Sequence, residues 1–169
     1  YSKCCFIDKN KYEFKNLLND YYNSHPQKIE KILHQIWIGP KPVPYKWINT
    51  FKEYIKNNTD WKYILWRDSD IESLNMINHN IYKIEKSYCG KADIARLEIL
   101  YRYGGIYIDA DATFLGKDLN DLIEKTNKSG IFLGRENKKN NSLANGTIGA
   151  SKNNPLMLYA IKVMNKIYN

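Results

Sequence analysis

Two aspartates one residue apart, Asp109 and Asp111, have the types and spacing best suited to chemistry in this sequence. They follow an apolar, β-prone run at residues 106–108, which is typical of a strand buried on both faces. In an open α/β sheet, ligands bind beyond the carboxyl ends of the strands, where both carboxylates should lie. Two hard oxygen ligands can share Mg²⁺ or Mn²⁺ with the phosphates of a substrate. The pattern therefore predicts a metal site formed by these two aspartates.

A second pair of charged residues precedes that strand. Apolar residues recur at helical spacing over residues 91–103, which predicts a helix. Gly104 and Gly105 follow it and can take the positive φ that ends a helix. Asp93 and Arg96 stand three residues apart on the helix and therefore share a face. They either bind a ligand near Asp109 or form an ordinary intrahelical ion pair.

A different chemistry fits the same letters. Residues 109–113 match the D-x-D-x-T pattern of haloacid-dehalogenase-like phosphatases, in which Asp109 would be a nucleophile and Asp111 a general acid. Such enzymes also need a later lysine and a closing acidic pair that binds Mg²⁺. The chain has no acidic residue after Glu136, so a phosphatase is the second hypothesis.

The composition predicts one folded domain, with 169 residues of which 43% are hydrophobic. The net charge of +8 either attracts an anionic ligand or reflects a background rich in Lys and Asn. The lysines are scattered without a basic stripe, which argues against nucleic acid as a partner. No apolar run reaches the roughly 18 residues of a membrane span, and no signal-peptide pattern is evident. Because Cys4, Cys5 and Cys89 do not make a disulfide framework, a cytoplasmic location is the default expectation.

Predicted strands alternate with predicted helices, which indicates an α/β fold with a mainly parallel sheet. The helix after the second strand is expected to be capped by Asp68 or Ser69. The predicted helices cover residues 8–22, 44–57, 68–76, 91–103, 118–125 and 155–167. The predicted strands cover residues 31–39, 61–66, 105–109 and 130–134, with 143–150 either a strand or a loop. We expect an N-terminal helical segment at residues 1–30 and a catalytic domain at residues 31–169.

The end of the first predicted strand carries a tryptophan next to a glycine turn. Trp37 either stacks on a nucleobase, a contact worth roughly 1–3 kcal/mol, or belongs to the core. His34 alternates with Ile36 along the strand and is either a satisfied core histidine or a ligand to a bound group. At this point both roles remain open for Trp37, and both remain open for His34.

Taken together, several segments resemble the sugar-nucleotide-dependent glycosyltransferases of family 32, which include initiating α-1,6-mannosyltransferases. The core is also similar to the catalytic domains of clostridial glucosylating toxins. The family domain runs further at its C-terminal side, where a third metal ligand and an acceptor loop are expected. The matching segments are residues 31–44 (KILHQIWIGPKPVP), 61–68 (WKYILWRD), 91–116 (KADIARLEILYRYGGIYIDADATFLG) and, more weakly, 145–161 (NGTIGASKNNPLMLYAI).

The resemblance implies a GT-A fold that binds Mn²⁺ or Mg²⁺ together with a nucleotide-diphosphate sugar. A UDP-sugar ranks ahead of GDP-mannose as the donor. The implied activity is transfer of the sugar, with retention of configuration, to a hydroxyl of a glycan, a lipid or a protein. Membrane association is left open, and the alternative to an enzyme is a nucleotide-sugar-binding module without turnover.

The resemblance also implies roles for individual residues. Trp37 would stack on the nucleobase, with Ile36 beside it in the donor site. Asp109 would contact ribose and metal, and Asp111 would ligate the metal directly. The remaining roles are sugar and diphosphate binding by Asp93 and Arg96, a phosphate or sugar contact by Tyr107, and the lining of the sugar or acceptor pocket by Asn145. The implied catalytic set is Asp93, Arg96, Asp109 and Asp111. No protein nucleophile is evident, so we expect attack from the same face as the leaving phosphate, which would act as the base.

Overall fold

The computed structural model describes residues 11–24, 27–126, 129–135 and 143–168. Cys4, Cys5 and the predicted helix start at residues 8–10 lie outside the described residues. The helices are α1 (Lys11–Ser24), α2 (Tyr45–Asn57), α3 (Asp68–Glu72), α4 (His79–Ile84), α5 (Tyr88–Tyr103), α6 (Leu119–Glu124) and α7 (Pro155–Tyr168). The strands are β1 (Ile32–Ile36), β2 (Lys62–Trp66), β3 (Gly105–Ile108), β4 (Ile131–Arg135) and β5 (Leu143–Ala150). None of these helices combines the length and apolar character that a bilayer crossing requires.

The strands form a sheet in the order β2-β1-β3-β5-β4. β1 pairs in parallel with both β2 and β3, whereas β5 pairs antiparallel with β3 and with β4. Within the described part of the chain, four strands therefore run in one direction and β5 is reversed. The predicted α/β fold with a mainly parallel sheet is confirmed.

The reversal of β5 decides what lies beside the carboxyl end of β3. Thr147, the fifth of the eight residues of β5, pairs with Ile108, the last residue of β3. One residue further on, the Asp109 N–H donates a hydrogen bond of 2.9 Å to the carbonyl oxygen of Gly146. The carboxyl ends of β1 and β3 and the start of β5 therefore meet at one edge of the sheet.

Apolar clusters cover both faces of the sheet, as expected for strands whose successive side chains point to opposite faces. One cluster joins Ile99 and Leu100 of α5 to Tyr107 and Ile148. The other joins residues from α2, β1 and β3, namely Phe51, Leu33, Ile106 and Ile108. The strand that leads into Asp109 is thus buried on both sides, which gives the carboxylates a rigid base.

Helix α5 is the element that brings Asp93 and Arg96 to this edge. It begins three residues earlier than predicted because Ser87 is its N-cap, with Oγ accepting a hydrogen bond of 3.0 Å from the Gly90 N–H. It ends at Gly104, whose φ of 67° is the predicted positive φ. The backbone then turns directly into β3.

The other differences from the sequence prediction have physical causes. Arg67, not Asp68 or Ser69, is the N-cap residue of α3, so that prediction was wrong. The Asp68 carboxylate instead accepts the backbone N–H of Gly39, with distances of 3.0 and 3.1 Å to its two oxygens. Helix α4 was not predicted, and residues 143–150 form a strand, which decides between the two alternatives for that segment.

Candidate active site

A cleft of about 570 Å³ opens where β1 and β3 end, between α5 and the loop that follows β1. All of the residues predicted for the site line this cleft, although they come from β1, α5, β3 and β5 and the turns that follow the strands. They are Ile36, Trp37, Asp93, Arg96, Tyr107, Asp109, Asp111 and Asn145. The structure therefore brings together residues that are more than a hundred positions apart in the chain, while their individual roles stay predictions.

Arg96 is the central residue of the cleft wall and is only 5% exposed. Its Nη2 lies 2.7 Å from Asp93 Oδ1, and its Nη1 donates to the carbonyl oxygen of Asn145 at 2.5 Å. Nη1 also lies 3.4 Å from Asp109 Oδ1, and the guanidinium carbon is 4.5 Å from the centroid of the Tyr107 ring. One side chain thus joins α5, β3 and β5 and sets the spacing between two carboxylates.

Asp93 faces the cleft from α5 and is half-buried. Asn145 Nδ2 donates a hydrogen bond of 3.0 Å to Asp93 Oδ1, the same oxygen that pairs with Arg96. Burial raises the pKa of the Asp93 carboxyl, Arg96 opposes that rise, and the neighbouring Asp109 charge adds to it. Within the described residues, the hydrogen bond and the ion pair of Asp93 both use Oδ1, which leaves its second oxygen for a ligand in the cleft.

Asp109 is held on its side chain as well as on its backbone. The Tyr107 hydroxyl donates a hydrogen bond of 2.8 Å to Asp109 Oδ1. Burial raises the pKa of Tyr107, so the phenol stays protonated and remains a donor. Asp109 Oδ2 occupies space beside Gly146, where a Cβ would lie 2.6 Å from that oxygen. Glycine at position 146 therefore leaves room for this carboxylate.

The donor set fits a divalent cation that is shared with a substrate. Asp111 is exposed and has no hydrogen-bond or ion-pair partner among the described residues, and Asp109 keeps Oδ2 free of a hydrogen bond within the same part of the chain. The described residues contain no group of three or more His, Cys, Asp or Glu side chains that could hold a metal by itself. Mg²⁺ is commonly bound by one or two carboxylates together with substrate phosphates and water, which is the set available here.

Two aromatic side chains, Trp37 and Tyr88, also line the cleft. Trp37 is partly buried, and its Nε1 donates a hydrogen bond of 3.0 Å to the carbonyl oxygen of Lys41, which fixes the ring in the loop after β1. The Tyr88 ring covers Gly39, whose φ of 89° and missing Cβ allow this close approach. The lining of the cleft thus combines charged groups with flat aromatic rings.

His34 is a satisfied core histidine rather than part of this site. It is 0% exposed, its Nε2 lies 2.8 Å from the carbonyl oxygen of Gly104, and Trp66 Nε1 donates to its Nδ1 at 3.1 Å. Burial lowers its pKa to about 4, so the ring is neutral at neutral pH. Of the two alternatives for His34, the structure supports the core histidine and not the ligand to a bound group.

Sequence reasoning missed several residues of the cleft and its support. Gly146 and Tyr88 carried no local signal, because each matters only through a residue far away in the chain. Gln35 did carry one, since it is a polar residue within the apolar run of the first strand, and it proves to be 0% exposed. Its side chain contacts the backbone of Asp109.

The fold and the cleft define an α/β protein that presents the carboxylate pair of a D-x-D motif at a sheet edge. The sequence profile of the family described as "Glycosyltransferase sugar-binding region containing DXD motif" matches residues 44–128, about half of the chain. The chain belongs to this family, and the resemblance to family 32 glycosyltransferases is confirmed.

Individual relatives agree with that assignment. The chain is 28% identical over 159 residues to inositol phosphoceramide mannosyltransferase 3 of Schizosaccharomyces pombe, covering 85% of this chain and 39% of that protein. It is 33% identical over 146 residues to an uncharacterised glycosyltransferase of Acanthamoeba polyphaga mimivirus, covering 80% of this chain and 55% of the relative. The chain thus spans less than two thirds of the length of these relatives.

A solved structure shows the same fold. The PaToxG glycosyltransferase superposes with a TM-score of 0.66 at 22% sequence identity, covering 95% of this chain and 72% of that one. At this identity the likeness concerns the fold alone, and it agrees with the α/β architecture predicted from the sequence.

Proposed function

We propose that this chain binds a nucleotide-diphosphate sugar together with Mn²⁺ or Mg²⁺ and transfers the sugar to a hydroxyl acceptor with retention of configuration. The observation that carries the proposal is the convergence of Asp93, Arg96, Asp109 and Asp111 on one cleft in a member of the D-x-D sugar-transfer family. No observation favours the phosphatase alternative over this assignment.

Different residues of the cleft would contact different parts of the donor and its cation. Asp93 can accept hydrogen bonds from sugar hydroxyls and so orient the ring. Arg96, locked by its own partners, supplies a fixed positive charge toward the diphosphate. Asp109 and Asp111 would hold the cation, which as a Lewis acid stabilises negative charge on the leaving group. Trp37 would offer a flat face to the nucleobase.

Retention follows if the acceptor attacks from the face that the diphosphate leaves. The acceptor oxygen forms a bond to the anomeric carbon while the bond from that carbon to the diphosphate oxygen breaks. The electron pair of the broken bond goes to the diphosphate, whose oxygen also takes the proton of the acceptor hydroxyl. This route is supported by the engagement of Asp93 Oδ1 with Arg96 and of Asp109 Oδ1 with Tyr107, which lowers the nucleophilicity of both carboxylates. A covalent sugar trapped on either carboxylate would contradict it.

The names of the relatives suggest candidates for both substrates. One relative is named inositol phosphoceramide mannosyltransferase 3, and another, from Saccharomyces cerevisiae, is named mannosyl phosphorylinositol ceramide synthase CSH1. Both names refer to a mannosyl group and to an inositol-containing phosphoceramide. We therefore propose GDP-mannose alongside the UDP-sugars as donors to be tested. A lipid acceptor with an inositol phosphate headgroup joins the glycan and protein hydroxyls as a candidate, and it would place the reaction at a membrane surface.

Thermal unfolding in the presence of each donor tests the proposal. UDP-sugars and GDP-mannose are added with Mn²⁺ or with EDTA, to the wild type, to Asp111→Asn, and to Asp121→Asn as a control on an exposed acid of α6. A donor present at about a hundred times its dissociation constant should stabilise the native state by roughly 2.7 kcal/mol. We expect one donor class to stabilise the wild type and the control in the presence of Mn²⁺ but not of EDTA. This stabilisation should be lost in Asp111→Asn.

The second step separates an enzyme from a binding module. Release of free nucleotide from the stabilising donor, with and without a hydroxyl acceptor, measures hydrolysis and transfer. Binding without any nucleotide release would leave a nucleotide-sugar-binding module as the function. The absence of stabilisation by every donor, with intact folding, would contradict the proposed donor site.

A further inference from the structure

Gln35 is a buried polar side chain that links three strands at the cleft edge. It lies on β1, one residue before the strand ends, and is 0% exposed. The Tyr63 hydroxyl of β2 donates a hydrogen bond of 2.9 Å to its Oε1. Its Nε2 donates one of 3.2 Å to the backbone carbonyl oxygen of Asp109, directly after β3. Because the Asp109 carbonyl oxygen can only accept, the amide nitrogen must face Asp109, and Oε1 is left to accept from the Tyr63 hydroxyl.

This side chain continues the link between β1 and β3 where the backbone pairing stops. The parallel register between these two strands ends at His34 and Tyr107, two residues before Asp109. On the other side of β3, the backbone N–H of Asp109 is bonded to Gly146 of β5. The carbonyl group of Asp109 therefore depends on Gln35 for its connection to β1.

The same carbonyl oxygen closes the turn that contains the second carboxylate. The Ala112 N–H donates to it at 3.1 Å, and the enclosed residues are Ala110 and Asp111. The direction of the Asp109 carbonyl group thus sets the orientation of the whole turn. Both the Asp109 and the Asp111 side chains line the cleft from this turn.

Stability of the fold does not by itself require an amide at this position. Its neighbours on the strand, Leu33 and Ile36, are apolar core residues. Burying a polar side chain has a desolvation cost. Without the amide, the Asp109 carbonyl oxygen keeps its bond from the Ala112 N–H and Tyr63 is a partly exposed residue, so the loss should be smaller than for a fully buried partner. What an apolar side chain could not do is direct a hydrogen bond at the Asp109 carbonyl oxygen.

We infer that Gln35 is a positioning residue of the cation site, which holds the 109–112 turn so that both carboxylates can share one ion. It acts through the Asp109 backbone and touches no substrate. This inference rests on the proposed function, because it assumes that Asp109 and Asp111 bind a divalent cation. Partners in the outer shell of a metal site typically change metal affinity 10- to 100-fold when they are removed.

The test is a titration with Mn²⁺ alone, followed by the solution EPR signal of the free ion, combined with amide hydrogen exchange of residues 109–112. The variant is Gln35→Met, which keeps the length of the side chain and removes both hydrogen bonds. The matched control is Ser151→Ala just beyond the opposite end of β5, which also removes two hydrogen bonds of a buried side chain, the one that Oγ donates to Gln27 and the one that it accepts from Asn154. We expect Gln35→Met to bind Mn²⁺ about tenfold more weakly and to exchange the Ala112 amide faster, with neither change in Ser151→Ala.

Each outcome decides the question. Equal Mn²⁺ affinity in the wild type and Gln35→Met overturns the role of Gln35 and leaves the metal site standing. Absence of Mn²⁺ binding by the wild type overturns the proposed metal site, and the Gln35 inference with it. If Gln35→Met does not fold, Gln35→Glu replaces it, because the glutamate keeps the acceptor for Tyr63 and lacks only the N–H toward Asp109. An added negative charge alone would tighten cation binding, so weaker binding there supports the inference and unchanged or tighter binding overturns it.

Discussion

Arg96 Nη2 lies 2.7 Å from Asp93 Oδ1, in a salt bridge between residues three positions apart on α5 whose arginine side chain is 6% exposed. An exposed pair at this spacing contributes a few tenths of a kcal/mol. This pair is different because the same guanidinium also binds the Asn145 carbonyl oxygen and approaches Asp109. The sequence left two alternatives for Asp93 and Arg96, an intrahelical ion pair or ligand binding near Asp109. The ion pair exists, and it lies in the cleft wall, where ligand binding is also possible.

Arg96→Lys is expected to damage this junction although the charge is kept. A single ammonium cannot reproduce the planar set of donors that reaches Asp93, Asn145 and Asp109 together. Leaving such groups without their partner should lower the free energy of unfolding by about 1–3 kcal/mol. Donor affinity should fall roughly tenfold, equivalent to about 1.4 kcal/mol. Urea unfolding and calorimetric titration with the stabilising donor measure the two effects.

Arg102→Lys on the same helix is the matched control. Arg102 donates to the carbonyl oxygen of Asn75 and lies outside the cleft. The Arg102→Lys variant should have a lower free energy of unfolding and the donor affinity of the wild type. Wild-type affinity in Arg96→Lys would show that Arg96 has no part in donor binding.

Gly146→Ala is expected to disturb the cation site and to leave the fold intact. The new Cβ would lie 2.6 Å from Asp109 Oδ2, so the carboxylate must rotate. Rotation breaks its hydrogen bond from Tyr107 and its approach to Arg96. We expect Mn²⁺ affinity to fall about tenfold in the EPR titration. The free energy of unfolding should fall by about 1 kcal/mol for the lost hydrogen bond, with the protein still folded in the urea titration.

Gly134→Ala provides the comparison for that substitution. Its Cβ would find its nearest atoms at 3.5 Å or beyond, which is ordinary van der Waals contact, and Gly134 lies on β4 outside the cleft. It should bind Mn²⁺ like the wild type. Similar Mn²⁺ affinities in Gly146→Ala and Gly134→Ala would contradict the role assigned to the space beside Asp109.

The sequence was sufficient to predict the parts of the site that depend on local signals. The Gly104–Gly105 stop, the buried strand and the D-x-D turn are adjacent in the chain, and each follows from backbone freedom or apolar patterning. The helical spacing of Asp93 and Arg96 also predicted that they share a face. These features position four of the charged groups that line the cleft.

Long-range pairing could not be predicted in the same way. Asn145 reaches Asp93, and Gly146 reaches Asp109, only because β5 inserts antiparallel beside β3. Residues 143–150 alone fitted a strand or a loop. Asp68 looked like a helix cap until the structure showed its carboxylate bound to the Gly39 N–H, a competitor 29 residues away. Local propensity is a weak guide where a distant partner offers a better hydrogen bond.

Tyr54→Phe should loosen the segment that follows the D-x-D turn. The Tyr54 hydroxyl of α2 donates to Asp118 Oδ1 at 2.6 Å and accepts from the Leu119 N–H at 3.1 Å, while its ring packs 4.7 Å from that of Phe114. Loss of the hydroxyl should lower the free energy of unfolding by about 1 kcal/mol and speed hydrogen exchange in residues 114–119. Tyr45→Phe, at a half-exposed tyrosine of the same helix, is the control and should change neither. Equal exchange in the two variants would mean that α2 does not anchor this segment.

The stability of the protein should fall as the pH is lowered from 6.5 to 4 because of His34. The buried ring has a pKa of about 4 in the native state, against 6.5 as its ordinary value, with burial as the main cause. Between these values the unfolded chain binds a proton that the native state does not, so the free energy of unfolding rises with pH across the window and is lost as the pH falls. The difference between the two pKa values corresponds to about 3 kcal/mol.

An NMR titration of the His34 imidazole separates this effect from the carboxylates that titrate in the same range. Protonation would place an N–H on Nδ1 against the Trp66 Nε1–H, which now donates to that nitrogen at 3.1 Å. Trp66→Phe removes this opposing donor, so the pKa of His34 should rise in the variant while burial still holds it below 6.5. Urea unfolding at pH 7 and pH 4.5 should then show a smaller loss of stability in Trp66→Phe than in the wild type. A His34 pKa near 6.5 in the wild type would contradict the prediction, which follows from a buried ring with a hydrogen bond at each nitrogen.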